Sequence, residues 1–131
     1  MKLELPNQQI DLDKITEELD NLIQEKSEAL NTINIAVNEH VRLKNEYVTQ
    51  SNNLRITTDF KEAMNLSKPA TEKQQQSYID DQLQKTLQDL RIAEENVKSW
   101  KREVDLLDDK ITSKKYQLKI MMGLLNGHCE S

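Results

Sequence analysis

Apolar residues recur along this chain at alternating spacings of three and four. The first series runs Leu12, Ile15, Leu19, Leu22, Lys26, Ala29, Ile33, Ala36, His40, Leu43, Tyr47, Gln50 and Leu54, and ten of its thirteen positions are apolar. A second runs Ile79, Leu83, Thr86, Leu90, Ala93, Val97, Trp100, Val104, Leu107, Ile111, Lys114, Leu118, Met121 and Leu125, with twelve of fourteen apolar. A stripe held that long at a mean period of 3.5 is the signature of a coiled coil, because an ordinary surface helix drifts off a strict heptad.

The punctuation of the chain places two long helices around these stripes. Asp11 is the expected N-cap of the first, with Ile10 and Ile15 spaced for a hydrophobic staple. Pro69 interrupts helical hydrogen bonding, and Thr71 with Gln74 three residues on forms a capping box for the second. Ile56, Thr57 and Thr58 form a β-branched cluster, followed by Asp59 and Glu62 as a further cap. Gly127 suits the end of the second helix. The expected organisation is an N-terminal arm over residues 1–10, a first long helix over 11–55, a short helix and hinge over 56–70, a second long helix over 71–126 and a tail over 127–131.

A short hinge joining helices of similar length makes them antiparallel neighbours. The predicted fold class is therefore all-α, a long antiparallel two-helix hairpin (coiled coil). A fold-back centred near Lys68 sets Trp100 against Ala36 and Val37, Ile15 against Met121 and Met122, Leu19 against Leu118 and Ile33 against Val104, whereas one centred nearer residue 63 slides this register by roughly three turns. Lys26, His40 and Lys114 interrupt the seam and are the residues expected to hold its register.

Further apolar residues lie off the seam. Ile23, Leu30 and Val37 repeat every seven residues, and Val41 and Val48 extend the strip. The second helix adds Leu87, Ile92, Leu106, Ile120, Met122 and Leu124. A two-helix hairpin buries one stripe per helix, and soluble monomers avoid large exposed apolar patches. The expectation is a homo-oligomer or an obligate partner, with Ile23, Leu30, Val37, Val41, Val48, Leu106, Ile120, Met122 and Leu124 at the interface.

Composition narrows the function classes. The 131 residues include two glycines, two prolines and few aromatics, and the mean hydropathy is −0.79, a poor basis for a packed globular core. No apolar run approaches the ~20 residues of a membrane-spanning helix, and MKLELPNQQ has no signal-peptide core. The single Cys129 forms no internal disulfide and fits a reducing compartment. The expected location is cytoplasmic.

The chemistry of enzymes is missing from the sequence. Asp80–Asp81 and Asp108–Asp109 are adjacent and diverge around a helix, His128 and Cys129 have no second ligand pair, and no glycine-rich phosphate loop occurs. No catalytic, cofactor-binding or metal-binding set is expected.

Charge is distributed unevenly. Residues 1–30 hold eight acids and three lysines, whereas residues 98–119 hold seven bases and four acids, within a net charge of −5. One reading pairs the two stretches across the hairpin: the acids beside Lys110, Lys114, Lys115 and Lys119, Glu39 near Lys98, and Arg42 and Lys44 near Glu94 and Glu95. The other reading sets bases of the second helix on a phosphate backbone, in a salt-sensitive and sequence-independent way. No row of interleaved aromatics marks a stacking platform, and Trp100 belongs to the seam.

The segment KPATEKQQQSYIDDQLQKTLQDLRIAEENVKSWKREVDLLDDKITSKKYQLKIMMGLL, over roughly residues 68–125, resembles small helical-hairpin proteins of tailed bacteriophages that are similar to the UvsY recombination mediator. The resemblance rests on a Lys-Pro-x-Thr lead-in, an acidic YIDD opening, and evenly spaced apolar residues ending in a Lys-rich segment with Met and Leu. It implies an oligomeric, non-enzymatic protein that binds single-stranded DNA and helps load a RecA-type recombinase. By that resemblance Lys101, Arg102, Lys110, Lys114, Lys115 and Lys119 are the DNA-contacting residues. The chain departs from the pattern in its negative net charge and in lacking an arginine-rich ending. The competing reading is a protein-interaction module with no nucleic-acid role, such as a phage assembly scaffold or an inhibitor of a host defence protein.

Overall fold

The computed structural model describes the backbone of residues 4–130 and the side chains of residues 11–124. Over these residues the chain is all-helical, a hairpin in which α1 (Glu4–Thr57) packs against α4 (Gln84–Glu130). The short α2 (Phe60–Ala63) and α3 (Glu72–Gln82) lie in sequence between the two. Among the described residues no helix is long and apolar enough to cross a membrane.

Both heptad stripes are the packed ones. Every seam position from Leu12 to Leu54 and from Ile79 to Met121 is buried or half-buried. The molecule divides into two compact units, Met1–Ile33 with Ser99–Ser131, and Asn34–Lys98. In the first unit Ala29, Val104 and Leu107 form a buried cluster, with Leu22, Ile33 and Trp100 packed against it. Trp100 thus packs on a cluster that includes the small Ala29. Ile33 packs on the cluster that holds Val104, as the expected register sets it, and Lys114 reaches Glu18 across the seam.

The second unit holds the reversal. Asp59 caps α2 by accepting from the Glu62 N–H. Past Met64, Asn65 takes a left-handed φ of 52°. Leu66 N–H then donates to Lys61 O at 2.8 Å and Asn65 N–H to Glu62 O at 3.1 Å, the paired bonds of a Schellman turn. Both glycines of the chain lie beyond residue 122, so asparagine, the best tolerated substitute, takes this position. The predicted capping box is formed: Thr71 Oγ1 accepts from Gln74 N–H, and Gln74 Oε1 accepts from Thr71 N–H.

Phe60 is buried edge-on against Tyr78, with ring centroids 5.7 Å apart and planes at 89°, and Ile79 is fully buried. Tyr47 Oη donates to Asp80 at 2.7 Å and accepts from Gln76 at 2.9 Å, Gln76 also takes the Arg55 guanidinium, and Thr86 donates to Gln50. Two seam positions, Tyr47 and Gln50, thereby contribute polar bonds across the pair.

Four expected boundaries are corrected. Residues 4–10 are the first turns of α1 instead of an arm, so Asp11 lies inside the helix and caps nothing; residues 1–3 and the Ile10 side chain are outside the described residues. Pro6 is tolerated because the first four N–H groups of a helix have no intrahelical acceptor. The first helix continues to Thr57, two residues past the predicted end. The second helix is divided at Leu83, whose φ of −105° and ψ of 24° mark a local break, although its N–H still reaches Ile79 O at 2.9 Å. Gly127 sits within α4, which runs to Glu130 in place of a tail. One glycine disfavours a helix by only about 1 kcal/mol, too little to stop it unaided. The side chains of Leu125, His128 and Cys129, and Ser131 altogether, are outside the described residues.

Candidate nucleic-acid interface

All six basic candidates lie on α4 in the first unit, and the structure separates them into three settings. Lys114 occupies the seam, is half-buried and reaches across to Glu18. Lys110 lines a groove with Glu18, Leu22 and Glu25 of α1, in an acidic setting. Lys101, Arg102, Lys115 and Lys119 are exposed, and among the described residues none of the four makes an ion pair.

Heptad spacing sets Lys101, Lys115 and Lys119 on one side of α4. Lys115 and Lys119 are one turn apart and, with Leu118, Met122 and Gly123, border a shallow cleft. Like charges at this spacing repel by a few tenths of a kcal/mol, so an anion laid over them relieves a strain. Lys101 and Arg102 stand two heptads away. Two acids intervene on this side: Asp108 is engaged by Lys26 of α1 at 2.6 Å, and Asp105, two heptads before Lys119, is exposed.

Tyr116 is the residue that sequence reasoning passed over. It is 66% exposed, with Lys115 beside it and Lys119 three residues on, and it presents an aromatic ring to solvent within the basic stretch. The signal was present in KKYQLK: Tyr116 belongs to neither seam, and an off-seam aromatic on a thin hairpin has no core to enter.

The charge-pairing expectation is met only partly. Lys114–Glu18 and Lys26–Asp108 cross from helix to helix. In the second unit Arg42 instead binds Glu39 and Glu46 of its own helix, and Lys98 binds Glu94 and Glu95. Spacings of three and four on one helix hold partners in reach whatever the register, so these local pairs form in place of Glu39–Lys98 and Arg42–Glu94. The seam lysines do cross the hairpin as register residues would; His40 is half-buried in the seam.

The Lys114 ammonium, bonded to the Glu18 carboxylate, holds that carboxyl below its ordinary range, with Lys14 adding a smaller attraction and desolvation opposing. The folded carboxylate keeps its charge to lower pH than the unfolded one, so its contribution is complete above the ordinary carboxylate pKa. It disappears as pH falls through the lowered value. Glu18→Gln is expected to flatten the loss of melting temperature on acidification below about pH 4.5 relative to the parent chain, measured by circular dichroism. An unchanged acid limb would detach Glu18 from acid stability.

The interface candidates are the apolar residues left uncovered. Ile23, Leu30, Val41 and Val48 on α1 are between 43% and 49% exposed, and Leu106, Ile120, Met122 and Leu124 on α4 are similarly open; Val37 is half-buried. Comparison with known protein families, curated proteins and solved structures finds no match for the chain.

Proposed function

We propose that this chain is a non-enzymatic binding protein that holds single-stranded DNA weakly on α4 and assists a RecA-type recombinase, as its resemblance to UvsY-like phage proteins implies. The observation that carries the reading is Tyr116 exposed beside Lys115 and Lys119, two lysines that make no ion pair among the described residues. Cations that track phosphates and a ring that stacks on a base are the two elements of sequence-tolerant single-strand binding. Lys101 and Arg102 extend the phosphate track. Lys114 and Lys110 contribute less, being turned to Glu18 and its neighbours. The setting in this reading is the cytoplasm of a bacterial host.

The test is fluorescence anisotropy of a labelled single-stranded oligonucleotide titrated at low and then raised salt. Binding is expected to weaken with salt, and Lys115→Glu/Lys119→Glu to weaken it further and flatten the salt dependence by about 0.7 in logarithmic slope per lost phosphate contact. Tyr116→Ala is expected to weaken it by roughly 5- to 100-fold, the range of one lost base stack. Absence of binding at low salt would sink the proposal. It would favour the second reading, a protein-interaction module, which the exposed Leu106, Ile120, Met122 and Leu124 support.

A further inference from the structure

We infer that α1 carries a second, self-complementary seam on which a second copy of this chain docks antiparallel, α1 against α1 about a two-fold axis. The inference stands on the pattern of α1 and is independent of DNA binding.

The uncovered apolar residues of α1 are not scattered. Ile23, Ser27, Leu30, Asn34, Val37, Val41, Lys44 and Val48 follow one another at alternating steps of four and three, a heptad series of their own within one helix. Their positions lie about 100° around α1 from the seam that packs on α4, the separation at which a helix contacts two neighbours. The series stops where covering begins, since Ser51, the next position, is buried.

This series reads nearly the same in both directions. In an antiparallel pair Ile23 meets Val48, Leu30 meets Val41, and Ser27 meets Lys44. Asn34 and Val37 meet at the axis. Apolar residues therefore fall on apolar residues in two of the four layers of each half, Ile23 on Val48 and Leu30 on Val41. A parallel pair in register would set Lys44 on Lys44, a like-charge contact in the seam.

The flank of the series is equally suited to meeting itself. Gln24, Asn31, Asn38 and Asn45 recur every seven residues along its edge and are all exposed. Solvent-facing heptad positions usually carry charges, and this row carries none. In the antiparallel register Gln24 lies by Asn45, and Asn31 by Asn38. A carboxamide both donates and accepts, so it pairs with its own kind, whereas a row of one charge would repel its copy.

Charge favours the same arrangement. Residues 11–33 hold seven acids against two lysines, while residues 34–57 hold three bases against two acids. The antiparallel pair sets the acidic stretch of one copy beside the slightly basic stretch of the other. A parallel pair would bring the acidic stretches together.

The experiment uses the full chain. Sedimentation equilibrium should give twice the 15.3 kDa of one copy, or an even multiple of it. Leu30→Glu/Val41→Glu should weaken association by roughly a hundredfold or more by burying charge in the Leu30–Val41 layer of each half, with helicity by circular dichroism unchanged because both sites are exposed in the single hairpin. For orientation, Cys129→Ser chains carrying either Leu30→Cys or Val41→Cys are refolded together and mildly oxidised. A disulfide-linked dimer is expected only in the mixture. Residue 30 and its own copy stand about 16 Å apart in this register, beyond the reach of a disulfide. A monomer at all concentrations, a disulfide formed by one variant alone, or association unaffected by the double glutamate would each overturn the inference.

Discussion

Phe60→Ala should lower stability by about 3–5 kcal/mol, the usual range for emptying a buried aromatic site. The large effect is unexpected for a residue in a four-residue helix, but Phe60 is only 8% exposed and stands edge-on to Tyr78 next to the fully buried Ile79. The edge-to-face pair adds about 0.5–1.5 kcal/mol beyond its area. Hydrogen exchange should locate the change. Amides of Asn34–Lys98 lose protection first, while the emission of Trp100, the only tryptophan and part of the other unit, stays unshifted at low denaturant. A loss below about 1 kcal/mol would mean that Phe60 merely rests on the surface of the turn.

Leu107→Ala should have a comparable effect with the opposite location, about 2–5 kcal/mol. Leu107 is 3% exposed and completes the cluster with Ala29 and Val104 on which Trp100 packs. A thin hairpin has few atoms able to close a cavity left there, so the upper part of the range is expected. Here Trp100 emission should shift to the red and its quenching by iodide increase, with the Tyr47–Gln76–Asp80 hydrogen bonds of the other unit undisturbed. Unchanged Trp100 fluorescence would exclude the packing described.

Heptad spacing made the two seams legible. Every described seam position, including Lys26, His40 and Lys114, turned inward to some degree. Register was legible only through the place of the hinge, because a repeat of seven matches itself wherever it is slid; the fold-back near Lys68 brings Ile33 to the cluster of Val104. What sets it is local: the Phe60–Tyr78 contact, the left-handed Asn65 and the bonds of Tyr47 and Gln50 to α3 and α4. None of these leaves a periodic trace. The basic residues of the candidate site were legible as charges, and the heptad already set Lys114 on the seam apart from Lys115 and Lys119; that Lys114 takes Glu18 as its partner was not legible. Tyr116 escaped notice because the search was for a row of aromatics rather than one ring beside two lysines.

The placement of the polar bonds also orders events in time. Partners near the reversal are separated by 21 to 36 residues of chain, Arg55–Gln76 and Gln50–Thr86 among them, whereas Lys114 and Glu18 are 96 apart. Loop closure becomes harder with length, and short-range contacts form fastest. The hairpin is therefore expected to zip from Phe60 and Asn65 outward, each closed turn shortening the loop for the next. Lysines at seam positions far from the reversal then favour one register, since a helix pair slipped by one turn sets Lys114 and Lys26 away from Glu18 and Asp108.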